Sequence, residues 1–137
     1  MSDQLDNISA ISGAALKAQR ERIKIIAQNI ANASATAETP NGKPYQRQIV
    51  TFKDEYDKAN GAYIVKTNGV RKDTSDFTKK YDPSHPAADA QGYVLMPNVN
   101  PLVEMMDMSD ANRAYQANIG VIEASRNMVQ HTISLLQ

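Results

Sequence analysis

The sequence predicts an α+β chain in which two long terminal helices form an antiparallel, coiled-coil-like pair with a small β-rich insert between them. Three observations carry this expectation. Apolar residues recur at three- and four-residue spacing near both ends, the period of a helix face. The middle of the chain has short runs rich in β-branched and aromatic residues, set apart by Pro, Gly, Asn and Asp, which is strand-and-turn chemistry. The C-terminal segment carries apolar residues on two adjacent stripes, whereas a helix packing on one partner needs a single stripe.

Residues 1–32 read as the first helix. Ser2 or Asp3 can cap its start. One stripe runs Ile8, Ile11, Ala15, Ala18 and Ile25, broken by Arg22; another runs Leu16, Ile23, Ile26 and Ile30, broken by Gln19. Asn29 and Asn32 stand at its end, where an amide competes well for backbone groups. Both are also candidates to bond the backbone of a packed neighbour.

Residues 33–44 form a polar connector. Pro40 and Pro44 exclude a continuing helix, and Asn41-Gly42 signals a turn.

Residues 45–97 are the β-rich insert. Strands are expected at Tyr45 to Phe52, at Ala62 to Lys66 ended by Asn68-Gly69, at Val70 to Lys72 after that turn, at Phe77 to Tyr81 and at Tyr93 to Met96. With few large apolar residues, this insert needs a helix or a neighbour to lean on.

Residues 98–137 hold the second helix. Asn100 is a favoured N-cap and Pro101 is pre-set for the first helical position. One stripe is Ala114, Ala117, Val121, Ala124, Met128 and Leu135. The other begins at Tyr115 and runs Ile119, Ile122, Val129, Ile133 and Leu136, interrupted by Arg126. Gly120 inside this helix suggests a surface where another backbone comes close, since an exposed Gly costs about 1 kcal/mol against Ala.

Composition narrows the function. Lys+Arg and Asp+Glu are both 15 in 137 residues, so the net charge is zero. No basic excess supports phosphate neutralisation, so no nucleic-acid partner is expected, and zero net charge favours self-association. There is no Cys, which removes disulfides, thiolate catalysis and Cys-based zinc sites. No apolar run approaches a membrane span, so no direct membrane insertion is expected. Met1-Ser-Asp-Gln opens acidic, without a basic n-region or continuous apolar core, so any export is expected to use no cleaved signal peptide.

The titratable residues do not converge. His85 sits between Ser84 and Pro86, where a solvated or backbone-bonded ring is the ordinary role, and His131 has no second His or carboxylate at ligand spacing. Glu104 and Asp107 share a face near a helix start, the placement the macrodipole favours. Met105, Met106 and Met108 are adaptable packing residues. No Gly-rich phosphate loop is present. The expectation is no enzyme, no catalytic residue, no cofactor and no metal.

Several segments carry a resemblance. Asn29-Ile-Ala-Asn-Ala33 resembles the N-terminal motif of the bacterial flagellar axial proteins of the rod and hook. The Thr-x-Gly-Tyr element common in that family is replaced by a longer connector leading to Pro40-Asn-Gly-Lys-Pro-Tyr-Gln-Arg47, then Val50 and Phe52. Ala88-Asp-Ala-Gln-Gly-Tyr-Val94, Met96-Pro-Asn-Val-Asn100, Glu104-Met105 and Asn112-Arg-Ala-Tyr-Gln-Ala-Asn118 resemble further segments of the same family. The match covers both ends of the chain, while residues 53–80 carry little family signature.

The resemblance implies a structural subunit of the flagellar proximal rod. Such proteins are exported through the flagellar type III apparatus without a cleaved signal. They polymerise helically, with copies of themselves and other rod proteins, into a drive shaft that crosses the periplasm around the export channel. The alternatives are another axial subunit of the rod or hook base, or a non-polymerising helical adaptor or export chaperone. The candidate subunit-interface residues divide by chemistry. Ile23, Ile26, Ile30, Val121, Ile122, Met128, Val129 and Ile133 supply apolar surface. Asn29, Asn32, Asn112, Arg113, Tyr115, Gln116 and Asn118 supply directional polar contacts.

Overall fold

The computed structural model describes the backbone of residues 2–40 and 42–135. Two candidates fall outside that range: Asn41 of the expected connector turn and Leu136 of the second apolar stripe.

Helix α1 runs Ser2–Ala31 and helix α2 runs Pro101–Leu135, with four strands between them. Strands β1 (Gln48–Asp57) and β2 (Ala62–Lys72) form one two-stranded sheet, and β3 (Thr78–Tyr81) and β4 (Tyr93–Met96) form another. This is the α+β plan expected from the sequence, with two terminal helices flanking a small strand insert.

Local chemistry sets the helix ends. Asn100 Oδ1 accepts from the backbone N–H of Leu102 (3.0 Å) and Val103 (3.4 Å), which satisfies donors that the first turn leaves open. At the end of α1, Asn32 Nδ2 donates to the Gln28 carbonyl at 2.8 Å, a capping role within its own helix. The connector then closes on itself, with Tyr45 N–H donating to Ala35 O at 2.9 Å.

The first hairpin turns through Lys58–Gly61. Asp57 shapes it by accepting from Ala59 N–H (3.0 Å) and Asn60 Nδ2 (2.8 Å), and Gly61 adopts φ 62°. β2 differs from expectation in one respect: Asn68-Gly69 does not end the strand. Gly69 takes φ 112° and its carbonyl accepts from Thr51 Oγ1 at 3.3 Å, so the strand continues through a conformation that glycine adopts readily. Tyr56 and Tyr63 pack edge to face across this hairpin at 5.1 Å.

In the second sheet β3 and β4 are antiparallel, in register Thr78↔Met96 to Tyr81↔Tyr93. The loop between them is held by Asp89, whose Oδ1 accepts from Gln91 N–H and Tyr93 N–H, both at 2.9 Å. Gly92 sits there at φ 84°, and a Cβ would lie 2.9 Å from Tyr81 Cε2 and 3.1 Å from Pro83 Cβ. Gly92→Ala is therefore expected to lower stability by at least about 1–2 kcal/mol, the cost of a left-handed non-glycine residue, with the crowding added. A thermal melt shows this as a drop of several degrees; an unchanged midpoint would contradict it.

Contacts divide the chain into two units. One joins α1 up to Ile23, residues Val50–Gly69 of the first hairpin and α2 from Ser109 onward; the other joins Lys24–Ile49 with Val70–Met108. Each unit combines opposite ends of the two helices, as an antiparallel pair requires. The first unit buries Ser12, Ala18, Ile64, Ala111 and Ser125; the second buries Ile25, Ile26, Asn29, Ala87, Val94 and Glu104. Among the largest fully buried side chains are Glu104, Val94 and Asn29, so polar groups occupy places that apolar side chains usually fill.

Candidate functional site

The second unit is organised around two of those polar residues. Asn29, in the last turn of α1, is 1% exposed, and Glu104, in the first turns of α2, is 0% exposed. Asn29 Nδ2 donates to Glu104 Oε2 (2.9 Å) and to Gln48 O (2.8 Å). Its Oδ1 accepts from Tyr45 O–H and from Gln48 N–H, both at 2.9 Å. All four of its hydrogen-bonding positions are filled, as burial demands.

Arg47 completes the cluster. Its Nε donates to Glu104 Oε1 at 2.6 Å, its Nη1 lies 3.3 Å from Asp73 Oδ2, and its Nη2 lies 3.5 Å from Asp107 Oδ2. Asn98 braces it from outside: Oδ1 accepts from Arg47 N–H at 2.7 Å, while Nδ2 donates to Asp73 O (3.2 Å) and Ser75 O (3.0 Å). One guanidinium thus answers three carboxylates from two segments, and the Glu104 bond is the charge-assisted, buried one. On sequence grounds Glu104 and Asp107 are a pair favoured by the macrodipole; the structure assigns both to Arg47.

Burial alone would make Arg47 give up its proton more easily, but its bonds to Glu104 and Asp73 outweigh this and raise its pKa. Burial, then the Glu104 charge, pushes the Tyr45 hydroxyl up as well. The Ser75 backbone N–H is the largest cause holding the Asp73 carboxyl below its ordinary value, with Arg47 adding to it. The Tyr93 and Gln91 N–H groups lower Asp89 in the same way. Both carboxyls bind a proton less readily in the folded chain, so in acid the unfolded chain takes up more protons. The stability they contribute is full above the ordinary carboxylate value of about 4 and is lost as pH falls through the folded values. The urea midpoint is expected to fall between pH 6 and pH 3, and Asp89→Asn to flatten that fall. A midpoint independent of pH would contradict this.

His85 is tied by both ring nitrogens. Nδ1 accepts from Ala87 N–H at 3.0 Å, which places the proton of the neutral ring on Nε2, 3.2 Å from Thr36 Oγ1. Among the described residues no group of three His, Asp or Glu side chains could hold a metal ion, and no helix is long and apolar enough to cross a membrane.

The helix faces are the second feature. Along α2 the covered side is a line of Glu104, Met108, Ala111, Tyr115, Asn118, Ile122, Ser125, Val129 and Thr132, all buried or half-buried. The steps alternate four and three, the spacing of a coiled-coil seam. It is a mixed seam, in which Met108, Ala111, Tyr115, Ile122 and Val129 are joined by polar Glu104, Asn118, Ser125 and Thr132. The exposed sides carry Leu102, Val103, Met105, Met106 (63% exposed), Val121, Met128 (52% exposed), Ile133 and Leu135. Exposed apolar surface of this kind marks interaction surfaces.

The two expected stripes of α2 differ in most members: in the second, Tyr115, Ile119, Ile122 and Val129 are half-buried and Ile133 is exposed, whereas in the first, Ala114 is half-buried and Ala117, Val121, Ala124, Met128 and Leu135 are exposed. Of the other candidates, Ile26 and Asn29 are buried, Ile23, Ile30, Asn32 and Asn118 are half-buried, and Asn112, Arg113, Gln116 and Ile133 are exposed. Asn118 Nδ2 donates to Ala114 O at 2.8 Å, and Arg113 lies 3.8 Å from Asp110 at the surface. A Cβ added at Gly120 meets nothing within 4 Å among the described residues. Sequence reasoning missed Tyr45, Arg47, Asp73 and Asn98 as a cluster. They come from three segments, around residues 45–47, 73 and 98, and no spacing links those segments.

Comparisons with known proteins bear on these same elements. The family described as "Flagellar basal body rod FlgEFG protein C-terminal" matches residues 90–135, the stretch that holds β4, Glu104 and the faces of α2. The chain is 47% identical over 135 residues to the flagellar basal-body rod protein FlgC of Agrobacterium fabrum, covering 98% of this chain and 97% of that one. It is 38% identical to the protein of the same name from Salmonella typhimurium, covering 96% and 97% of the two chains. With that from Bacillus subtilis it shares 34% identity over 91% and 93%.

Proposed function

The chain belongs to the FlgC family of flagellar basal-body rod proteins and is a structural subunit of the rod; from that premise we propose that it polymerises helically through the outward apolar faces of its terminal helices. In this reading the rod crosses the periplasm as a drive shaft around the export channel. The subunit reaches it through the flagellar type III apparatus without a cleaved signal, and its neighbours are copies of itself and other rod proteins.

The observation that carries the reading is the apolar surface that α2 leaves exposed on its own chain, Val121, Met128 and Ile133 among it. Repeated head-to-tail use of two different surfaces on one subunit produces a filament rather than a closed pair. Val121, Met128 and Ile133 then meet apolar surface on a neighbour. Asn112, Arg113 and Gln116, exposed beside them, supply the polar rim. Ile26 and Asn29 are covered within the chain and act on the interface by fixing the helices that present it. Gly120, open on its own chain, leaves room for a neighbour's backbone.

A reconstruction of the intact basal body tests this. Density for this chain in a helical layer around a central channel, with α2 contacting adjacent subunits along Val121 and Met128, is the expected result. Copies found only as a separate soluble adaptor, outside the axial structure, would overturn it.

A further inference from the structure

We propose that Asn68 is a site of spontaneous covalent modification, at which the backbone nitrogen of Gly69 attacks the side-chain amide and asparagine becomes aspartate or isoaspartate. The chain holds three Asn-Gly pairs, at 41–42, 60–61 and 68–69. A following glycine leaves this attack least hindered, because no Cβ crowds the approaching nitrogen. Asn41 lies outside the described residues, and the structure separates the other two. Asn60 is restrained. It is half-buried in the first hairpin turn, and its Nδ2 donates to Asp57 Oδ2 at 2.8 Å. This bond is the largest cause holding the Asp57 carboxyl below its ordinary value, so the acceptor stays charged at neutral pH. Ring closure at Asn60 has to break it. Asn68 has no such hold: its side chain is exposed and makes no hydrogen bond to the described residues. A Cβ added at Gly69 would meet nothing within 4 Å among the described residues, so an imide ring has room. Every residue of β2 from Lys66 to Lys72 is exposed, with no packed face to resist a local opening. That opening supplies the near-attack geometry which an extended strand withholds.

The reaction needs only water and base. A bond forms between Gly69 N and Asn68 Cγ, the Cγ–Nδ2 bond breaks, and ammonia leaves with the proton that Gly69 N gave up through solvent. Water then opens the ring at Cγ to give aspartate, or at the Asn68 main-chain carbonyl carbon to give isoaspartate. No oxidant or reductant takes part. Either product places a carboxylate where a neutral amide stood and takes the net charge of the chain from zero to minus one. Isoaspartate also routes the main chain through the former side chain and lengthens it by one carbon. The residues after it then lose their register with β1, and Gly69 O leaves Thr51 Oγ1, now 3.3 Å away. None of this rests on the rod-subunit reading.

Tryptic cleavage after Lys58, Lys66 and Arg71 places Asn60 and Asn68 on separate peptides. The full-length chain is held in warm, mildly basic buffer, sampled over days, digested and weighed by mass spectrometry. The Asn68 peptide is expected to gain the mass of an amide-to-acid exchange, in two chromatographic forms. Its rate should exceed that of the Asn60 peptide at least about 10-fold, a barrier difference of about 1.4 kcal/mol. In concentrated guanidinium chloride the two rates should come within about 2-fold, because each pair then reacts as open chain. Asn60 reacting as fast as Asn68 in the folded chain would overturn the proposal. So would an undiminished ratio in denaturant, which would trace the difference to flanking residues rather than to the fold. A folded rate at Asn68 more than about 100-fold below its denatured rate would mean that the strand protects the site, and would also reject it. In Asn68→Gln the early acidic form on isoelectric focusing should vanish; its persistence would place the modification elsewhere.

Discussion

Glu104→Leu alone is expected to destabilise the isolated chain by about 3 kcal/mol, the low end of the range for removing one partner from a buried ion pair. The physical cause is what remains. Arg47 loses its closest partner, at 2.6 Å, and the Asn29 amide loses an acceptor in a place with 1% exposure. An unsatisfied buried donor costs about 1–3 kcal/mol. Two features hold the loss to the low end: the Arg47 side chain is 24% exposed, and Asp73 still faces it at 3.3 Å. Because small domains have only about 5–15 kcal/mol in total, the shift in urea midpoint should be unmistakable. A loss below about 1 kcal/mol would mean that water replaces the carboxylate freely.

How much of this was legible in the sequence depends on the range of the interaction involved. The start of α2 was legible, because Asn100-Pro101 caps the helix with bonds two and three residues ahead. The start of β1 was displaced from Tyr45 to Gln48, because nearby backbone donors are used elsewhere. Tyr45 N–H goes to Ala35 O and Arg47 N–H to Asn98 Oδ1. Asn68-Gly69 carries a turn signal, yet pairing with β1 and the glycine φ of 112° carry the strand through it. Glu104 bonds a residue 57 positions away, and nothing in the spacing of either residue announces the pair. The two stripes of α2 were legible as apolar periodicity; which of them faces the chain's own seam depended on burial.

That distinction leads to the other large effect. Met128→Asp, or Val121→Asp, is expected to leave the isolated chain within about 0.5 kcal/mol of the parent, as for most surface changes, and to abolish incorporation into the rod and swimming in soft agar. Both side chains are exposed on the chain itself, so the folded subunit loses little. At a dry contact an unpaired carboxylate costs several kcal/mol, and about 4 kcal/mol weakens each subunit contact roughly 1,000-fold. Ile122→Asp makes the control. Ile122 is half-buried on the seam between Asn118 and Ser125, so a carboxylate there should unfold part of the helix pair as well as block assembly. The paired outcome is what discriminates: Met128→Asp folded and excluded from basal bodies, Ile122→Asp destabilised in isolation. Swimming at the parent rate with Asp at both Val121 and Met128 would remove this face of α2 from the subunit contacts.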